Sequence, residues 1–370
     1  MKKERVIAHI SPDEFEKSSS FIQANIRGLE GIVVPYFGGY MPRFSEGNEE
    51  LKLGLIDRFI FKIKGDIHGL SRSEFALYKS LKRHRVDLIF AEYGPTASAV
   101  YRVANALKIP LLVHFHGYDV YHQPTVSKHK AHYQQIIAHG AKAIAVSKEM
   151  RETLISWGFP AHDVVYSPCG CHTQFLELPL PSERKGFVAV GRMVDKKGPL
   201  FTIQAFHRAI QDGLSETLTF IGDGPLMPVC RQYVEDNQLQ KNILFQGHQS
   251  HDIVLQCMLK ARVFLQHSVT SHEGDREGTP VSIVEAMAVG MPVVSTRHAG
   301  IQDVVRHGVD GFLVSEGDVS SMADFIVQLA NDPAGCERMG SEGRSAVRAH
   351  YTDKIHLQTI NDFILNNWNG

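Results

Sequence analysis

Twelve short runs rich in Val, Ile, Leu and Phe, separated by stretches of helical periodicity, recur from end to end of this 370-residue chain. Alternation of this kind marks parallel strands, whose neighbours must be joined by long crossovers, usually helices. The candidate strands are 6–10, 31–34, 86–91, 110–116, 141–146 and 164–167 in the first half. In the second half they are 187–190, 218–221, 243–245, 263–266, 292–295 and 311–314. The chain is long for one core, and two domains of about 180 residues each are the expected arrangement. The break falls in Leu176 to Lys185, where two prolines sit in a charge cluster without a clear period. The fold class is therefore α/β, with two doubly wound Rossmann-like parallel-sheet domains spanning 1–177 and 178–353. Ligands of open α/β sheets bind beyond the carboxyl ends of the strands, so an interdomain cleft is the expected site. The last segment, 354–370, sets Ile360, Phe363, Ile364 and Trp368 on one helical face that must dock on a core.

A net charge of −1 gives no basic signature for nucleic acid. The apolar segment after Met1-Lys2-Lys3 is too short for a signal peptide, and nothing reaches the length of a membrane span, so a cytoplasmic protein is expected. Five cysteines without framework spacing agree with a reducing compartment. Cys169-Gly170-Cys171-His172 has ligand-type residues but no second pair, so no metal site is expected. Between Leu51 and Val86, five Lys and four Arg stand against three acids, together with Ile56, Phe59, Ile60, Phe61 and Ile63. Such a stretch has two readings: peripheral contact with an anionic membrane at its inner face, or a solvated helical face packed on its own domain.

Glu277 and Glu285 lie eight residues apart around an expected helix start, with Gly278, Thr279 and Pro280 between them. Thr279 suits an N-cap and Pro280 the first helical position. Free amides and the positive dipole end would hold an anion there. Carboxylates are good partners for hydroxyls rather than for phosphate. The pattern thus fits a diphosphate with hydroxyl-bearing groups on both sides, as in a nucleotide sugar.

Gly191, Arg192 and Lys197 follow the strand 187–190, where a guanidinium and an ammonium could neutralise a diphosphate in place of a divalent cation. Gly222-Asp223-Gly224-Pro225 lacks the third glycine of a dinucleotide fingerprint and reads as a tight strand-to-helix turn. Gly247 and His248 end the next strand, and their loop could receive a base or be an ordinary turn. Period-two alternation puts His114 and His116 on one side of strand 110–116, with His116 at the carboxyl edge facing a ligand. Glu92 occupies another such edge, as a partner for an acceptor hydroxyl or as a cap for the following turn.

Together these segments resemble the retaining glycosyltransferases of the GT-B fold, family 4 of that classification, in the style of bacterial exopolysaccharide and colanic-acid-type enzymes. The resemblance is strongest over Phe187 to Asp318. It rests there on Val190-Gly191-Arg192 with Lys197, Gly222-Asp223-Gly224-Pro225, the Glu277/Glu285 spacing and Glu285-Ala286-Met287-Ala288-Val289-Gly290-Met291-Pro292-Val293-Val294, followed by Ala299-Gly300 and Asp310-Gly311-Phe312-Leu313-Val314. In the first half it rests on Phe115-His116-Gly117-Tyr118-Asp119 and Ala143 to Lys148. The resemblance implies that Arg192 and Lys197 hold the donor diphosphate, Glu285 the ribose and Glu277 the transferred sugar, with amides after Gly278 nearby. It also implies that His116 touches the sugar and that the C-terminal helix returns to the first domain. Many relatives carry a glycine-rich loop after the first strand. Here Ser11 to Ser20 stands in its place, so the first-domain phosphate and acceptor contacts do not transfer.

The expected activity is metal-independent, cofactor-free, retaining transfer of a sugar from a nucleoside diphosphate, UDP being the expected nucleotide, to a hydroxyl of a glycan or lipid-linked sugar acceptor. Two alternatives remain at this level: a nucleotide-sugar epimerase of the same fold, and a non-catalytic nucleotide-sugar-binding protein. The incomplete glycine fingerprint argues against a dinucleotide oxidoreductase.

Overall fold

All twelve apolar runs form strands in the computed structural model, which describes residues 4–14, 20–65, 69–181 and 183–368. Residues 15–19, within the segment that replaces the glycine-rich loop, lie outside the described residues, as do 66–68 of the basic stretch. The chain divides into two compact units, Met1–Pro168 with Lys354–Gly370, and Cys169–Asp353. The division precedes the expected 177/178 boundary because Phe175 and Leu176, on the short helix Gln174–Glu177, are buried with Val188, Ile221 and Phe264 in the second unit.

The first unit contains β1 (Val6–Ile10), β2 (Ile32–Phe37), β3 (Phe44–Ser45), β4 (Glu49–Glu50), β5 (Leu88–Glu92), β6 (Leu111–Phe115), β7 (Lys142–Ala145) and β8 (Val164–Tyr166). They form one sheet in the order β4-β3-β2-β1-β5-β6-β7-β8. The pairings β2–β3 and β3–β4 are antiparallel, and the two-residue strands β3 and β4 carry no period that a sequence could announce. Strand β1 pairs with β2 on one side and β5 on the other, so the carboxyl ends of β1 and β5 form a topological switch point. The helix Asp353–Asn367 belongs to this unit from Lys354 onward. Its Ile360, Phe363 and Ile364, with Trp368 beyond it, pack on Ile7, Leu88, Phe90, Leu112 and Ile144. Full burial of Ile360 and Ile364 stabilises by about 1.5–3 kcal/mol each, with Phe363 and Trp368 partly buried beside them, which fixes the stripe read from the sequence.

The second unit contains β9 (Phe187–Val190), β10 (Leu218–Ile221), β11 (Ile243–Phe245), β12 (Val263–Leu265), β13 (Val293–Thr296) and β14 (Gly311–Val314). All pairings are parallel, in the order β11-β10-β9-β12-β13-β14. Phe187 and Ala189 face one core with Phe206 and Phe220, while Val188 faces the other with Phe264 and Ile283. That is the two-residue period of a strand covered on both faces. The order reverses between β9 and β12, which places the loops leaving these two strands at a second switch point. No helix among the described residues is long and apolar enough to cross a membrane.

Candidate active site

The loop after β9 supplies Arg192 and Lys197, and the loop after β12 supplies Glu277. Lys197 Nζ lies 2.9 Å from Glu277 Oε1, which brings together one cation and one acid singled out from the sequence. Burial alone would raise the Glu277 carboxyl, but the charges of Lys197 and Lys196 outweigh it and hold the group below the usual carboxylate range. Lys196 is itself paired with Asp275 at 3.1 Å. Arg192 is exposed and makes no ion pair with any described residue, which leaves its guanidinium available to a ligand.

The Gly222-Asp223-Gly224 turn has a backbone explanation. Gly222 has φ +135°, and a Cβ there would lie 2.0 Å from the Gly191 carbonyl oxygen. The turn therefore braces the loop that carries Arg192. Gly222 also donates its amide to the Gly247 carbonyl at 2.8 Å, linking the two glycine-containing loops, while His248 is exposed.

A directed hydrogen-bond chain supports Glu277. Ser282 Oγ donates to Gln266 Oε1 (3.2 Å), Gln266 Nε2 to Ser268 Oγ (2.8 Å), and Ser268 Oγ to Glu277 Oε1 (3.3 Å). The Glu277 amide donates to His298 Nε2 at 3.1 Å, and His298 Nδ1 is 2.6 Å from Glu316. Glu285 pairs with His251 Nε2 at 3.1 Å, and that bond raises the His251 pKa. Gln266, Ser268, Ser282, His251 and His298 were not singled out from the sequence. Gln266 could have been, since it ends a predicted strand at the same kind of carboxyl edge as His116.

The helix start differs from expectation. The helix spans Val281–Ala288, Pro280 occupies the cap position, and no side chain caps it. The Thr279 hydroxyl accepts instead from the Cys169 amide at 2.9 Å, and the Thr279 carbonyl accepts from Val281 in a tight turn. Burial pushes the Cys171 thiol up to about 12.

In the first unit Glu92 is fully buried, and it is neither an open partner for a hydroxyl nor a cap. Its Oε1 accepts from His9 Nε2 (3.0 Å) and Asn25 Nδ2 (2.8 Å); its Oε2 lies 2.7 Å from His116 Nε2 and 3.1 Å from His114 Nδ1. The Gly94 amide that would need a cap donates to Asp119 instead. Burial raises the Glu92 carboxyl, but its imidazole donors outweigh that and hold it well below the usual range. His114 and His116 share a side of β6 as expected, with ring centroids 4.0 Å apart. His356 of the C-terminal helix stacks 5.3 Å from His114, and burial pushes its pKa down to about 3.

Two family models match. Residues 40–175 fit the model described as Glycosyltransferase Family 4, and residues 184–332 that described as Glycosyl transferases group 1. The chain is similar to the amylovoran biosynthesis glycosyltransferase AmsK of Erwinia amylovora, at 28% identity over 76% of this chain and 71% of that protein. It is also similar to WcaL of Salmonella typhimurium, a glycosyltransferase named for colanic acid biosynthesis, at 32% identity over 66% of this chain and 61% of WcaL. The fold matches a glycosyltransferase of Rickettsia africae with a TM-score of 0.75, covering 99% of this chain and 100% of that one at 16% identity. It matches HepE of Anabaena, solved with UDP-glucose, with a TM-score of 0.73 over 98% of this chain and 99% of that one, also at 16% identity. This chain belongs to the glycosyltransferases of family 4, with the two parallel-sheet domains of the GT-B fold.

Proposed function

We propose that the protein transfers a sugar, with retention of anomeric configuration and without a divalent cation, from a nucleoside diphosphate to a hydroxyl of a glycan or lipid-linked sugar during bacterial polysaccharide synthesis. The observation that carries this reading is the contact between Lys197 and Glu277 at the switch point of the second sheet, beside the uncommitted Arg192. Arg192 and Lys197 would stabilise the negative charge that grows on the departing diphosphate, the task elsewhere given to a metal ion. Glu277, held ionised, would accept hydrogen bonds from hydroxyls of the transferred sugar. Glu285 would take the ribose, Gly191 and the segment Gly278-Thr279-Pro280 would line the diphosphate and sugar, and Gly247 and His248 the base. In the first unit, His116 is assigned contact with the transferred sugar.

UDP as the nucleotide is supported by the UDP-glucose held by HepE and by similarity to an Escherichia coli UDP-Gal:alpha-D-GlcNAc-diphosphoundecaprenol alpha-1,3-galactosyltransferase, at 26% identity over 70% of each chain. The same relative supports a lipid-linked acceptor. A membrane-associated acceptor agrees with the exposed apolar stripe of Leu55, Ile56, Phe59 and Ile63, flanked by the exposed Arg58 and Lys62. The test is a panel of UDP- and GDP-sugars screened by thermal shift, followed by assay of the best donor with and without a diphospholipid-linked sugar in the presence of EDTA. Acceptor-dependent release of nucleoside diphosphate is expected. An isomerised sugar formed without acceptor would establish the epimerase instead, and binding without either product a sensor.

A further inference from the structure

In the polar cluster around Glu92, His9 Nδ1 and His114 Nε2 are buried without a hydrogen-bond partner, whereas the ring of His116 belongs to a side chain that is 8% exposed, and the place of its second nitrogen is informative. A carboxylate offers about four lone-pair directions: His9 and Asn25 approach Oε1, and His116 approaches Oε2 together with His114, whose Nδ1 also stands 3.3 Å from Asn25 Nδ2. Glu92 is ionised and fully buried, so it can only accept. If the His116 ring carries a single proton, its 2.7 Å approach to this carboxylate through Nε2 puts the proton on that nitrogen. Nδ1 then bears the lone pair, and among the described residues no group hydrogen-bonds to it. The ring cannot turn to exchange the two nitrogens easily. It packs between Phe21 and Tyr93, with centroids 4.5 and 4.6 Å away, and its backbone is tied through the His116 and Gly117 amides to the Asp119 carboxylate.

We propose that Glu92 is a positioning residue that locks His116 in the Nε2–H tautomer, so that Nδ1 is presented as an acceptor for a hydroxyl of the transferred sugar. This rests on the reading of His116 as a sugar contact. It adds a chemical restriction to that reading: the matched group on the sugar must be a hydrogen-bond donor, and a deoxy or O-methyl sugar at that position is discriminated against, because a site built to receive a hydroxyl loses its partner when the hydroxyl is missing. Fixing a ring tautomer through a buried carboxylate is a general device for setting which nitrogen acts.

The test is ¹⁵N–¹H correlation of the imidazole nitrogens in the full-length protein, joined to kinetics. In the wild type the His116 ring is expected in the Nε2–H form. In Glu92→Gln, whose amide offers only one accepting edge, the His116 pattern is expected to move toward Nδ1–H or a mixture, with turnover down about tenfold to a hundredfold and donor KM within about threefold. A wild-type His116 in the Nδ1–H form overturns the proposal, as does a stoichiometric zinc ion held by Glu92, His114 and His116 in place of the protons. Lowered turnover with an unchanged His116 pattern in Glu92→Gln reduces Glu92 to a structural role and also overturns it. If that variant does not fold, the wild-type spectrum alone decides. Full activity in His116→Ala would instead refute the sugar contact, a failure of the functional reading that leaves the tautomer observation intact.

Discussion

Glu277 and Glu92 are both buried acids beside a sheet switch point, one in each unit, yet they are held by opposite chemistry. Glu277 faces the ammonium of Lys197. Glu92 faces three imidazoles and an amide, none of which carries a permanent charge. The first arrangement stores charge where a ligand with its own charge would be gripped. The second stores orientation, since its donors are fixed by the carboxylate rather than neutralised by it. Removing a partner should therefore strand a charge in the second unit and loosen a geometry in the first.

The largest expected effect comes from Lys197→Met. Turnover should fall by about a thousandfold, and unfolding in urea should show a loss of about 3 kcal/mol, because Glu277 is left buried without its partner. Adding Glu277→Gln to that variant should return most of the stability and none of the turnover. If the double variant is no more stable than the single one, the pair is not a charge pair of the kind described. Arg192→Ala sharpens the contrast from the other side. Loss of an exposed guanidinium with no ion-pair partner among the described residues should cost about a hundredfold in turnover and less than about 0.5 kcal/mol in stability; a large stability loss would show that Arg192 serves the fold.

Acid should find the first unit through its histidines. The folded pKa of His356 lies at about 3, and that of His114 is also lowered by burial. A depressed imidazole favours the folded state fully above the ordinary histidine value near 6.5 and loses that contribution as pH falls from there toward the folded value. From pH 6.5 to 5, His356 alone should cost about 2 kcal/mol. Both tryptophans, Trp157 and Trp368, belong to the first unit, so their fluorescence reports its melting. His356→Gln should flatten the slope, and a melting temperature constant over that interval would count against buried neutral histidines. His267, pushed to about 4 in the second unit, adds a change of the same sign there. Glu277 does not: its pKa is depressed, so its contribution survives until pH drops below the ordinary carboxylate range. The smallest effect is expected at the exposed stripe, where Phe59→Ser with Ile63→Ser should weaken sedimentation with anionic phosphatidylglycerol vesicles severalfold and leave transfer to a water-soluble acceptor unchanged. Equal sedimentation of variant and wild type would remove the membrane reading.

Much of the second unit was legible because its chemistry is local. Strand β9 and the loop to Lys197 lie within a dozen residues, and Glu277, Gly278 and Glu285 lie around one helix start. The helix cap was misread for a reason that local rules cannot supply: Cys169, 110 residues away in sequence, takes the Thr279 hydroxyl. The first unit hid more. Glu92 was noticed at a strand end, but His9 lies in β1, Asn25 in the helix Ser20–Gly28 and His114 in β6. No spacing along the chain signals that these four side chains converge.

By itself the sequence determined two parallel α/β units, the apolar stripe that anchors the C-terminal helix, and the identity of the cations and acids of the second unit. Hydrophobic period and turn chemistry are properties of neighbouring residues, and so they can be read in one dimension. Only the tertiary structure decided which acid meets an ammonium and which is enclosed by imidazoles. That choice depends on which strands the sheet order brings side by side, and a parallel sheet assembles neighbours from distant parts of the chain.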